Sequence, residues 1–165
     1  MGQFKTLILK HDKDFKLVRD ERIVKTATEF DKLVKDTIAI GSSRLMTVAD
    51  SELTVNGDTA SIEFHLNDEG LLHNAPPMVA IMNEKHQLVQ VYAGNMTVSK
   101  YDVESNSLVS LSDDDLELFY THYKRAILPK NLTKQISDHH VMRYGGQPGE
   151  WGGKPVEVFV KIRKN

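Results

Sequence analysis

The sequence predicts an α+β fold built on a mostly antiparallel sheet. Three observations carry this expectation. Several short segments alternate apolar and polar residues with period two. Turn residues separate them at intervals too short for helical crossovers. Strong helix-start signals occur at two places, so the order is β-β-α-β-β-β-β-α-β rather than a strict βα repeat.

Phe4 to Lys10 and Phe15 to Val24 read as two strands joined by the turn His11-Asp12-Lys13-Asp14. Thr26-Ala27-Thr28-Glu29 is a capping box, in which the Thr hydroxyl and the Glu carboxylate serve orphan N–H groups. Phe30, Leu33, Val34, Thr37 and Ile38 follow at helical spacing, which predicts a helix over about 27–39, ending before Gly41. Arg44 to Ala49 is the next strand. Asn56-Gly57 is a turn, and Ala60 to Leu66 is a strand with Ile62, Phe64 and Leu66 on one face. Asn67 to Gly70 turns, and Asn74-Ala75-Pro76-Pro77 reads as an extended loop, because neither proline supplies a backbone donor. Leu88 to Ala93 and Met96 to Tyr101 are strands interrupted at Gly94. Ser112 followed by Asp113, Asp114 and Asp115 caps a second helix, and the acids meet the positive end of its dipole. The stripe Leu116, Phe119, Tyr120, Tyr123 carries that helix to about residue 127, with Pro129 closing it. Residues 131–137 add one or two helical turns. Val156, Val158, Val160 and Ile162 alternate in a final strand over about 156–163.

Four elements in the middle of the chain occur together: Asn67-Asp68-Glu69-Gly70-Leu71, Asn74-Ala75-Pro76-Pro77-Met78, Tyr92-Ala93-Gly94-Asn95-Met96 and Leu108-Val109-Ser110-Leu111-Ser112-Asp113-Asp114. In order and spacing this stretch resembles a small family of unknown function from phages, plasmids and conjugative elements. Met78 departs from the polar residue usual there. The resemblance covers residues 4–119. It implies a mobile-element setting and no catalytic residues. It divides the chain into an α+β domain over 1–119 and a basic extension over 120–165, packed on the same core.

The net charge of −2 conceals a strong segregation. Residues 1–44 carry 10 Lys and Arg against 7 Asp and Glu, residues 45–119 carry 2 against 13, and residues 120–165 carry 9 against 3. A surface of defined sign favours charged partners, whereas charges that pair across the fold cancel. The acidic candidates are Asp50, Glu52, Asp58, Asp68 and Glu69. The basic tail offers Lys124, Arg125, Arg143 and Lys154 beside Tyr144 and Trp151, a combination that suits phosphates and stacked bases. Trp151 lies in GGQPGEWGG, which reads as a mobile connection with a contact anchor at its tip.

Catalytic signals are weak. Cysteine is absent, which excludes disulfides, thiolate metal sites and cysteine nucleophiles. His139-His140 is the most conspicuous polar pair, but adjacent histidines diverge on a helix or strand and match no zinc motif. No metal site or cofactor is therefore expected. Lys154 follows two glycines, yet Pro155 stands where a phosphate loop needs Ser or Thr. No G-x-S-x-G nucleophile motif occurs. No apolar run approaches the roughly 20 residues a membrane helix needs, and no signal-peptide pattern opens the chain, so a cytoplasmic protein is expected.

The function expected is a non-enzymatic accessory protein that binds a host macromolecule, as an inhibitor of a defence nuclease such as a CRISPR effector. The alternative is a small protein that binds or cleaves nucleic acid through the basic tail and His139 and His140.

Overall fold

The computed structural model describes residues 3–38, 45–53, 59–67, 70 and 74–163. Gly41, Arg44, Asn56, Gly57, Asp58, Asp68, Glu69 and Leu71 lie outside them.

Among the described residues, ten strands and three helices follow the order β1 (Phe4–His11), β2 (Leu17–Val24), α1 (Ala27–Ile38), β3 (Leu45–Ala49), a 3₁₀ turn (Ser51–Leu53), β4 (Ala60–Asn67), β5 (Pro77–Met82), β6 (Leu88–Ala93), β7 (Met96–Asp102), β8 (Ser107–Val109), α2 (Asp113–His122), β9 (Lys124–Leu128), α3 (Lys130–Tyr144) and β10 (Val156–Ile162). The fold is α+β, as the alternating segments predict. One sheet runs β2-β1-β7-β4-β3, with β8 added to β7. The other runs β6-β5-β10-β9, and its β10–β5 pair is parallel while its other pairs are antiparallel.

The two sheets face each other across the main core. Leu7, Leu9, Ile62, Phe64, Leu66, Met96 and Val98 of the first meet Val79, Ile81 and Phe159 of the second. Phe119 and Tyr123, at the end of α2, fill the space between them, with rings stacked 5.0 Å apart. The outer face of the first sheet is covered by Phe30, Val34 and Ile38 of α1. The outer face of the second is covered by α3, whose Leu132 and Ile136 pack on the cluster of Ala80, Leu128, Val156 and Val158. Stacking two sheets and covering both outer faces buries every layer that alternation makes apolar.

Capping works largely as the residue types require. Ser112 accepts from the Asp115 N–H at 3.1 Å, and Asp115 accepts from the Ser112 N–H at 2.8 Å. Asp115 is also buried against Lys100 Nζ at 3.1 Å, so one carboxylate both caps α2 and pairs with β7. Replacing Ser112 by Ala should cost about 1 kcal/mol, measured as a lower denaturation midpoint. At α1 the Thr26 hydroxyl takes the Glu29 N–H at 3.1 Å. Glu29 reaches one residue further back than a standard box and takes the Lys25 N–H at 2.7 Å.

The structure corrects the sequence expectation in three stretches. The second helix ends at His122 and not at 127, because Tyr123 is extended (φ −113°, ψ 98°) and residues 124–128 pair with β10. The prolines of residues 76–77 open a strand: Pro77 is its first residue, where a missing donor costs no ladder bond. Residues 130–144 form a full helix in place of one or two turns, closed by Gly145 at φ 81°. The stretch from 120 onward also supplies β10, an interior strand between β5 and β9, so the basic tail is woven into the same sheet as the middle of the chain. Among the described residues no helix is long and apolar enough to cross a membrane.

Candidate functional site

The α3 helix gathers four of the sequence candidates. His139, His140, Arg143 and Tyr144 lie on its last turns and, with Leu88–Val91 of β6, line a groove of about 550 Å³. The His140 and Tyr144 rings sit 4.9 Å apart, one helical turn from each other, and the Arg143 guanidinium lies 5.5 Å from the Tyr144 ring. Burial, and next the neighbouring His139, push His140 below the ordinary imidazole value. Arg143 therefore supplies the fixed positive charge at neutral pH. Among the described residues no carboxylate lines the groove. The nearby Asp138 is held by Lys134 at 2.7 Å.

The groove also borders a sheet edge. β6 is the outermost strand of its sheet, and among the described residues no strand pairs with its outer side. Gln90, Val91 and Tyr92 keep regular register with Ile81, Ala80 and Val79, while the ladder shifts between Ile81 and Met82. An edge of this kind presents backbone donors and acceptors ready for another strand.

The remaining basic candidates lie elsewhere. Lys124 and Arg125 belong to β9, the opposite edge of the same sheet. Arg125 donates to the Leu17 carbonyl at 3.2 Å and approaches Glu157 at 3.4 Å. Lys154 lies 5.7 Å from the Phe15 ring. The basic tail is therefore divided between two edges rather than gathered into one patch.

Trp151 corrects the expectation of a mobile anchor. It is only 2% exposed and joins the core beneath α3. Its indole N–H donates to the Asn74 carbonyl at 2.9 Å. The glycines around it serve close packing: a Cβ at Gly149 would stand 2.3 Å from the indole nitrogen, and one at Gly152 would stand 2.8 Å from the Ser137 side chain.

Asp50 corrects the expectation of an acidic surface. It is buried, its carboxylate accepts from Lys161 Nζ and from the Tyr123 hydroxyl (2.6 Å for the latter), and it takes the Glu52 N–H at 3.0 Å. Burial acts to raise its pKa, but the bonds from Lys161 and Tyr123 outweigh it and hold the carboxyl below the usual range. Glu52 is half exposed and shared between Lys161 at 3.3 Å and His122 at 3.5 Å. These cross-fold pairs partly cancel the segregated charges of the sequence.

Sequence reasoning missed a second pocket, of about 490 Å³, between α1 and the first sheet. His65 lies at its base, with Nδ1 3.1 Å from the Thr47 hydroxyl and Nε2 3.2 Å from the Ser99 hydroxyl. Burial pushes its imidazole below the ordinary value, against the pull of Asp31. Glu63, two residues earlier on the same face, is raised by burial. The available signal was the alternation of β4, whose second face is Glu63 and His65; it reads as solvent-facing until α1 is placed over it. Among the described residues no three His, Asp or Glu side chains converge as metal ligands.

No family model, curated protein or solved structure matches the chain.

Proposed function

We propose that the protein is a non-enzymatic binding protein of a phage or other mobile element, and that the α3–β6 groove is its contact surface. Its partner is a host protein, and the effect of docking is inhibition of a defence nuclease such as a CRISPR effector. The observation that carries the binding reading is the groove itself, where Arg143 and Tyr144 stand beside an open sheet edge with no carboxylate among the described lining residues. An extended acidic segment suits this surface, since its backbone can add to β6 and its carboxylates can meet Arg143. The mobile-element setting rests on the four sequence elements between Asn67 and Asp114.

The cleaving alternative draws less support. Among the described residues His139 and His140 have no carboxylate partner in the groove to orient or recharge them as a base.

Arg143→Glu and Tyr144→Ala should each weaken partner binding by about tenfold or more. Both side chains are exposed, so melting temperatures should stay within about 3 °C of the parent. The measurement is inhibition of a purified defence nuclease by the parent and by each variant. Inhibition that survives both changes overturns the groove as the contact. Recovery of nucleic acid instead, with affinity falling steeply as salt rises, replaces the protein partner by the nucleic-acid reading.

A further inference from the structure

The pocket beneath α1 is separate from the α3 groove, and its chemistry is independent of the function proposed for that groove. Its walls are partly aromatic. Phe4, Phe30, Tyr101 and His65 line it, and the Phe30 and His65 rings meet at 72° with centroids 5.5 Å apart. The edge-to-face pair forms one side of the pocket, and an aromatic ring face carries negative quadrupolar potential. The charged groups at this pocket are Glu63 and Asp31, and among the described residues no Lys or Arg lines it. His65 titrates below the ordinary imidazole value, so it places no positive charge there at neutral pH.

Glu63 is the telling residue. Its carboxylate is half-buried, yet it makes no hydrogen bond or ion pair with any described residue. Partial withdrawal of a carboxylate from water costs free energy that a bound cation would recover. Among the described residues no such cation lines the pocket. Two carboxylates repel an anion. A primary ammonium ion needs acceptors for three N–H groups and is strongly hydrated. An alkylated ammonium ion has few or no N–H groups to satisfy, sheds water easily and packs its methyl groups on ring faces.

From this we propose that the pocket binds an alkylated ammonium group, with Glu63 as its counter-charge and Phe4, Phe30 and Tyr101 as its walls. The cavity volume suits a small organic cation or the end of a methylated side chain. Tyr101 is held in place by the bond between its hydroxyl and Asn106.

Titration of the isotope-labelled full chain with choline tests this. Choline should shift resonances of α1, β4 and β7. Dimethylbutanol, its neutral carbon isostere, should bind about tenfold more weakly. Glu63→Gln should weaken choline binding by about tenfold while the melting temperature holds or rises. Asp31→Asn, at the exposed rim, should weaken it by about twofold. A trimethyllysine peptide distinguishes the source of the group. Tighter binding of the peptide assigns the pocket to a modified protein, and tighter binding of choline assigns it to a free cation. Equal affinity for choline and dimethylbutanol overturns the proposal. So does choline affinity unchanged in Glu63→Gln, or the absence of shifts at about 10 mM choline.

Discussion

Asp50→Asn should destabilise the protein by about 3 kcal/mol, near the lower end of the range for breaking a buried ion pair. The substitution keeps the shape and removes the charge that Lys161 and Tyr123 were placed to meet. Lys161 is buried on β10, with its ammonium 5.5 Å from the Tyr123 ring. Without Asp50 that ammonium retains Glu52 at 3.3 Å, which is half exposed and shared with His122. Glu52 limits the loss and does not abolish it. The Tyr123 hydroxyl loses its carboxylate acceptor between the sheets. For a chain of this size the change corresponds to a melting temperature lower by roughly 6–12 °C.

Two further measurements test the same network. Asp50 holds its carboxyl below the usual range, so its stabilisation is present above the unfolded value near pH 4 and is lost as pH falls through the folded value. The parent should therefore lose stability on acidification more steeply than Asp50→Asn. The double variant Asp50→Asn with Lys161→Met should cost less than the sum of the two single changes, with a coupling of about 1–3 kcal/mol. Strict additivity would mean that the two groups do not interact in solution.

This network also marks where local pattern stops being informative. Ile62, Phe64 and Leu66 sit on the face their alternation requires, and Ser112 with Asp115 caps α2 as spacing alone implies. Such features depend on neighbours a few residues apart. The alternation of Val156, Val158, Val160 and Ile162 is equally legible, but Phe159 and Lys161 on the other face are buried as well, and Ile162 at the strand's end is exposed. β10 is an interior strand covered on both sides, and strands so placed lose the simple inside–outside rule. Asp50 and Lys161 are separated by 111 residues, a pairing that only the sheet order creates. Residues 124–128 continued an apolar helical stripe in sequence, yet pairing with β10 overrode that propensity. The candidate sites follow the same division. His139, His140, Arg143 and Tyr144 are close in sequence and meet on one helix. Glu63 and His65 acquire their pocket only because α1 crosses the outer face of β4.

Trp151→Ala should destabilise the protein by about 3–5 kcal/mol, a loss of folding rather than a selective loss of binding. The indole is enclosed by Ala80, Leu128, Val156 and Val158 and by the α3 side chains Leu132 and Ile136. Its removal leaves a cavity under the helix that carries the groove. Trp151→Phe keeps most of the apolar contact and forfeits the bond to the Asn74 carbonyl, so its cost should be about 1–2 kcal/mol. Gly152→Ala attacks the same junction from the other side. The new methyl group would stand 2.8 Å from Ser137 on α3, which must move, at about 1–3 kcal/mol. The Thr133 hydroxyl donates to the Lys154 carbonyl at 2.7 Å and lies 3.2 Å from the Gly153 N–H, so the loop and the helix are tied together where the strain would fall. Denaturant midpoints should therefore rank parent, then Trp151→Phe, then Trp151→Ala, with partner binding by the folded fraction unchanged in Trp151→Phe. An unchanged midpoint in Trp151→Ala together with lost binding would restore the exposed-anchor reading and sink the packed one.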